Sequence, residues 1–331
     1  MPTLVHRLLV ALGAVATVVA LVGSTARAAD AQQLADTNFA PPIARPAFAP
    51  GAGPRLCVDE AHHNFHTMAG RFAPFATLAR RDGYRVAASR ALFSAAALAS
   101  CDLLVIANAQ PSDRPWTEYP RPTPSAFTNA EIAAVRAWVE QGGGLLLLAD
   151  HMPLAGAAAA LAAAFGAEFI DGFAYDSAAG WLRDRARIAA RAEVTLFTGA
   201  DRTLGSHAIT RGRAGDELIT QVRSFTGQAF LWDAQGVVPL LTLPPHYVSL
   251  EPAIAWQFSG STPIRRVGGW LQGAARSVGA GRVVLLGEAA MLSAQLTGPE
   301  ARQMGMNAPG AEQNAQFALN ILHWLSELLA S

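Results

Sequence analysis

Lysine is absent from the 331 residues, so all 25 cationic side chains are arginine. That excludes a Schiff-base lysine and the lysine of a phosphate-binding P-loop. Charge of either sign is scarce, at 15% of residues beside 51% hydrophobic, which excludes wholesale disorder. Acids and cations balance at 25 each. With no basic excess to form a stripe, no nucleic-acid partner is expected. No G-x-G-x-x-G follows the first expected strand, which disfavours dinucleotide binding. No G-x-S-x-G or G-x-C-x-G elbow occurs either. Cysteine is limited to Cys57 and Cys101.

Only one long apolar run is present, from Leu8 to Val22. Arg7 precedes it, and Ala26-Arg27-Ala28 closes it with an A-x-A pattern. A short apolar core with small residues before a cut reads as a secretory signal peptide over residues 1–28. Cleavage there leaves 23 Arg against 25 acids. The expected location is periplasmic or secreted, with no membrane span after cleavage. An exported protein invites a disulfide. Here, however, Cys57 falls inside an expected strand and Cys101 just before another. Parallel neighbouring strands would hold them at different heights, so two buried thiols are expected.

Residues 29–54 are rich in Pro, Ala and Gly without a sustained period, and read as a linker or extended lead-in. Strands are then expected at Leu56-Cys57-Val58, Tyr84–Ala88, Leu103–Ala107 and Leu145–Ala149, alternating with helices over Arg71–Arg81, Ala91–Ala99 and from Thr128. Thr128-Asn129-Ala130-Glu131 is a capping box. A Pro-rich loop (Pro111 to Pro124) is long enough to overhang a site, and Pro153–Phe165 reads as an Ala-rich helix. This alternation predicts an α/β fold with a parallel sheet and helices on both faces. From about 168 to 280, short runs (Glu193–Phe197, Glu217–Val222, Val237–Leu243, Ala253–Phe258) between turns predict a β-rich insertion. Arg282–Leu286 returns as a buried strand, and Ala311–Leu329 closes the domain as a helix.

Three expected strands end in polar clusters: Asp59-Glu60-Ala61-His62-His63-Asn64-Phe65-His66, then Asp150-His151, then Glu288. In open parallel sheets ligands bind beyond the carboxyl ends of the strands, so these residues should face one crevice. Asp59, His62, His66, Asp150 and His151 offer enough N and O donors for a divalent metal such as zinc. Glu60 or Glu288 could then act as base on a metal-bound water. His63 and Asn64 are further crevice candidates, as is His207 from Ser206–Gly212. The alternative for each is capping of helix and strand ends. Trp181, Trp232, Trp256 and Trp270 could stack on a sugar, with core packing as the competing reading. His246 beside Pro244-Pro245 reads as structural.

Val58 through Thr67, Gly142-Gly143-Gly144-Leu145, Gly281 through Glu288, and Asn314 through Leu325 together resemble the class I glutamine amidotransferase-like superfamily. The resemblance is to an exported bacterial branch, similar to trehalose-utilisation-type and gliding-motility-type domains. It spans most of residues 55–167 and 281–329, and it implies a flavodoxin-like sheet with its crevice at the strand ends. The family's nucleophile is a Cys on the turn after the strand that here ends at Ala149. Asp150-His151 stands there instead, so glutaminase activity is not expected. Three functions remain open. One is a metal-dependent hydrolase acting on a small molecule or glycan derivative. Another is a non-catalytic domain binding a ligand or protein partner. The third is a metal-free hydrolase using carboxylates as acid and base.

Overall fold

The computed structural model describes residues 33–177 and 194–330. The expected signal peptide and Trp181 lie outside the described residues. In chain order the strands are β1 (Gln33–Ala35), β2 (Arg55–Asp59), β3 (Arg85–Ser89), β4 (Leu103–Ala107), β5 (Gly144–Leu148), β6 (Glu168–Phe169), β7 (Phe173–Asp176), β8 (Val194–Thr198), β9 (Gln221–Phe225), β10 (Phe230–Leu231), β11 (Val238–Thr242), β12 (Tyr247–Leu250), β13 (Ile264–Arg266), β14 (Leu271–Val278), β15 (Gly281–Leu286), β16 (Ala294–Thr297) and β17 (Arg302–Gly305). The helices are α1 (Ala73–Arg81), α2 (Ala95–Leu98), α3 (Asn129–Glu140), α4 (Leu154–Ala164), α5 (Ala208–Arg211) and α6 (Asn314–Leu325).

Nine strands form one mixed sheet in the order β3-β2-β4-β5-β15-β14-β10-β6, with β11 also paired to β14. The first five are mutually parallel. β14 then runs antiparallel to β15. The strands expected as parallel are so, and the antiparallel additions make the whole sheet mixed. Gly279 and Ala280 join Val278 to Gly281, with Gly279 at φ 60. A two-residue loop of that hand forces a hairpin, whereas parallel strands need a long crossover.

Side chains alternate across the sheet, and the alternation sorts them into two cores. Leu56, Val58, Leu146, Leu148, Val284 and Leu286 pack on one face with Phe75 of α1 and Phe317 and Ile321 of α6. Cys57, Leu145, Leu147, Val283 and Leu285 face the other way, onto Leu98 of α2, Val135 and Val139 of α3, and Leu161 of α4. Helices therefore cover both faces.

The stretch expected as a β-rich insertion adds β6, β10, β11 and β14 to the main sheet. It also builds a three-stranded sheet (β13-β12-β7) and a two-stranded antiparallel sheet (β8-β9). Ala253–Phe258 is not a strand: Pro252 precedes it, and Trp256 has a left-handed backbone at φ 64. Residues Gln33–Ala35 of the expected lead-in pair antiparallel with β16.

Cys57 and Cys101 form a disulfide with Cα atoms 5.7 Å apart, which corrects the expectation of two thiols. The strand registers alone would separate them. However, Cys101 lies in the turn after α2, where its amide donates to Leu98 O, and not on an extended lead into β4. That turn folds back over the sheet face to which Cys57 points.

Candidate functional site at the strand ends

β2, β4, β5 and β15 end side by side, and the residues just beyond them are buried and polar. Asp59, Asn108 and Glu288 have no exposed surface, while Asp150 and His151 have 8 and 9%. Burial of that kind demands partners, and the partners assign each group its place.

His62 is held at both ring nitrogens. Nδ1 lies 2.9 Å from both Asp59 carboxylate oxygens, and Nε2 lies 2.8 Å from Glu131 Oε1. Phe93 and Phe127 flank the ring. Burial opposes protonation, yet the hydrogen bonds and charges of Asp59 and Glu131 outweigh it and raise the His62 pKa. Burial alone would raise Glu131. Its bonds from Thr128 and His62 instead bring it down to about 2. Glu131 also completes the capping box of α3: its amide donates to Thr128 Oγ1, and its Oε2 accepts from the Thr128 amide. One carboxylate thus fixes the start of α3 to the end of β2. Asn64 joins the same group, donating to Asp59 Oδ2 at 3.0 Å.

A second group centres on Asn108, which the sequence reading did not single out. Its Nδ2 donates to Asp150 Oδ2 at 2.9 Å and to His66 Nδ1 at 3.0 Å, and its Oδ1 accepts from the Asp150 amide. Asp150 Oδ1 accepts from the Ala289 amide. Glu288 accepts from the amides of Ala290 and Met291. Burial raises Asp150 to about 6. Burial and the neighbouring Asp150 charge raise Glu288 well above the usual carboxylate range. The two carboxyl groups therefore retain a proton well above ordinary carboxylate pKa values.

His151 differs from the others. Its Nδ1 lies 2.9 Å from Met152 O, which fixes the proton on that nitrogen and leaves Nε2 as an acceptor. Burial lowers its pKa to about 4, so the ring is neutral at neutral pH. It stacks on Phe173 at 4.6 Å with Trp256 edge-on at 4.8 Å, and Trp116 of the Pro-rich loop lies 6.0 Å away. Trp116 also meets Trp256. The Arg121 amide donates to Ala253 O, and Arg121 pairs with Glu251, so the Pro-rich loop and the Trp256 loop form one tied roof.

Not every candidate converges. Glu60 accepts from the Met68 amide and pairs with Arg90, so neither of its oxygens is free to act as the expected base. His63 is half-exposed and pairs with Asp113. His207 caps α5 and packs on Trp324, whose carbonyl bonds Arg282 at the opposite end of β15. It lies away from the crevice. Trp232 donates to Phe165 O and Trp270 packs against the core, so of the expected tryptophans among the described residues Trp256 is the one at the crevice, beside Trp116.

Among the described residues no three His, Cys, Asp or Glu side chains form a metal-ligand cluster. The expected ligand set of Asp59, His62, His66, Asp150 and His151 is divided instead. His62 has no free nitrogen, Asn108 occupies His66 Nδ1, and only His151 offers an uncommitted acceptor nitrogen. A hollow of about 400 Å³ lies at the opposite ends of the strands, between Pro54, Asp102 and Leu325.

No family model matches the chain, and no curated protein does. Solved structures do. The mmIFT52 N-terminal domain is similar at a TM-score of 0.50 and 14% identity, covering 82% of this chain and 96% of that one. A ThuA-like protein from Bacteroides uniformis is similar at 0.46 and 15% identity, covering 86% and 94%. An exo-β-1,4-mannosidase from an Opitutaceae bacterium gives 0.39 and 14%, covering 84% of this chain and 36% of that one.

Proposed function

We propose that the strand-end crevice is the active site of a hydrolase-like protein acting on a small molecule or glycan derivative, with His151 as its acid–base group. The observation that carries this is the His151 ring: neutral, oriented by Met152 O, walled by aromatics, and with Nε2 uncommitted. In such a step, Nε2 takes a proton from water as the water oxygen bonds to the electrophilic carbon. The same nitrogen then returns that proton to the departing atom. Asp150 and Glu288, whose pKa values burial raises, supply a second reservoir of acidity at the same strand ends.

The five parallel strands, ordered second-first-third-fourth-fifth by their place in the chain, are read here as a flavodoxin-like core of amidotransferase-like descent. With Asp150-His151 at the turn where the family carries its nucleophilic Cys, glutaminase chemistry is not proposed. Export to the periplasm or beyond is supported by residues 1–28 and by the Cys57–Cys101 bridge, since disulfides persist in oxidising compartments.

A second reading, non-catalytic binding, is favoured by one feature. Trp256 Nε1 is buried without a hydrogen-bond partner, a donor available to a held ligand. Chromogenic esters, amides and glycosides, assayed with the protein and with His151→Gln, separate the two. Turnover that falls by about 100-fold or more in the variant supports the catalytic reading. Ligand binding by both proteins, without turnover by either, leaves the binding reading standing.

A further inference from the structure

Two buried donors near the crevice lack acceptors. His66 is 1% exposed, and its Nδ1 accepts from Asn108, so the ring proton sits on Nε2, which has no partner. Arg71 has one guanidinium N–H bonded to Phe65 O, but its buried Nε–H is also unpartnered. Among the described residues no carboxylate pairs with Arg71. Both side chains lie against the Phe65 ring, with Arg71 Cζ 3.7 Å and the His66 ring 5.4 Å from its centroid. Phe65 in turn meets Trp116, the roof residue over His151. The next residue, Phe72, is the N-cap of α1 and gives that helix end no side-chain cap.

A half-buried cation without a counter-charge is costly, and so is an unmet buried donor. Burial accordingly lowers the Arg71 pKa, and the Arg71 charge adds to burial in bringing His66 down to about 3. We infer that Arg71 and His66 form an anion subsite of the crevice that takes a carboxylate group of the ligand. A carboxylate offers two acceptor oxygens in one plane, suited to N–H donors from a guanidinium and an imidazole. Its charge supplies what Arg71 lacks. The inference rests on the crevice being the ligand site, and adds the chemistry of what enters it.

Acetate is the probe, and acetamide is its neutral isostere. In anion-poor buffer, acetate at about ten times its Kd should raise the Tm of the full chain by about 3 °C. Acetamide should leave it unchanged. Arg71→Met should abolish the acetate shift without lowering the Tm in the absence of anion, and Arg302→Met should keep the shift. Independently of any variant folding, acetate but not acetamide should move the His66 Nε2 proton resonance of the unmutated protein. Equal response to both probes, a retained shift in Arg71→Met, or a preference for phosphate over acetate would overturn the assignment. His151→Gln should keep the acetate shift, so loss of turnover and loss of anion binding are read separately.

Discussion

Asn108 and Asp150 bond each other reciprocally: the Asn108 amide nitrogen donates to Asp150 Oδ2, and the Asp150 backbone amide donates to Asn108 Oδ1, both at 2.9 Å. The pair ties the end of β4 to the end of β5 beneath the crevice. Asn108 also holds a left-handed backbone at φ 54, which asparagine tolerates better than most residues.

Asn108→Ala should therefore lose stability twice. The unpaired Asp150 amide and His66 ring would cost about 2–4 kcal/mol, and the left-handed backbone about 1 kcal/mol more. Asn108→Gly pays only the first. Urea unfolding of both variants checks this, and equal stability of the two would show that the backbone at 108 is not constrained.

Reducing the Cys57–Cys101 bridge frees a loop of 44 residues, for which chain-entropy arguments give about 4 kcal/mol. Tm should fall on adding reductant, and Cys57→Ala with Cys101→Ala should match the reduced protein. A thiol reagent applied to the denatured, unreduced chain should label neither residue.

The raised His62 pKa sets a pH dependence of definite sign. Its contribution is fully present below the unfolded value of 6.5 and is lost as pH rises through the higher folded value. Glu131 acts oppositely: its contribution is present above 4.5 and is lost as pH falls toward about 2. His62→Gln should thus remove a decline in unfolding free energy on the alkaline side of 6.5. An unchanged slope in the variant would mean that the ring is not charged between its two carboxylates.

Glu251 carries two arginines, Arg121 and Arg265, that pin the roof. Both are partly exposed, so Glu251→Gln should cost only about 1–2 kcal/mol. The larger effect should be on access, with increased acrylamide quenching of tryptophan fluorescence as Trp116 and Trp256 loosen. Quenching equal to that of the unmutated protein would mean that the roof is held by other contacts.

The parallel strands were legible because each is a short apolar run closed by a turn signal, and the polar residues beyond them stood out for the same reason. What those residues bond to was not legible. Glu131 announced itself as a cap, but its second oxygen reaches His62, 69 positions away. Asn108 is a lone amide after an apolar run, and nothing local marks it as a hub. The roof joins Trp116 to Trp256 across 140 positions. β14 escaped notice because Gly273-Ala274-Ala275 lacks the β-branched residues that mark a strand. Their smallness admits β11, since a Cβ at Gly273 would lie 2.9 Å from Leu241.

The two cores also set which residues depend on one another. Leu147 and Leu148 are consecutive, yet one packs with Leu161 and Val139, the other with Phe317 and Ile321. The backbone of β5 stands between them as a partition. Truncating both should therefore give nearly additive losses, whereas truncating Leu148 with Phe317 should be strongly non-additive. Chain neighbours are energetic strangers here, and partners lie far apart in sequence. Substitutions accumulating beneath α3 and α4 can proceed with little reference to those beneath α1 and α6.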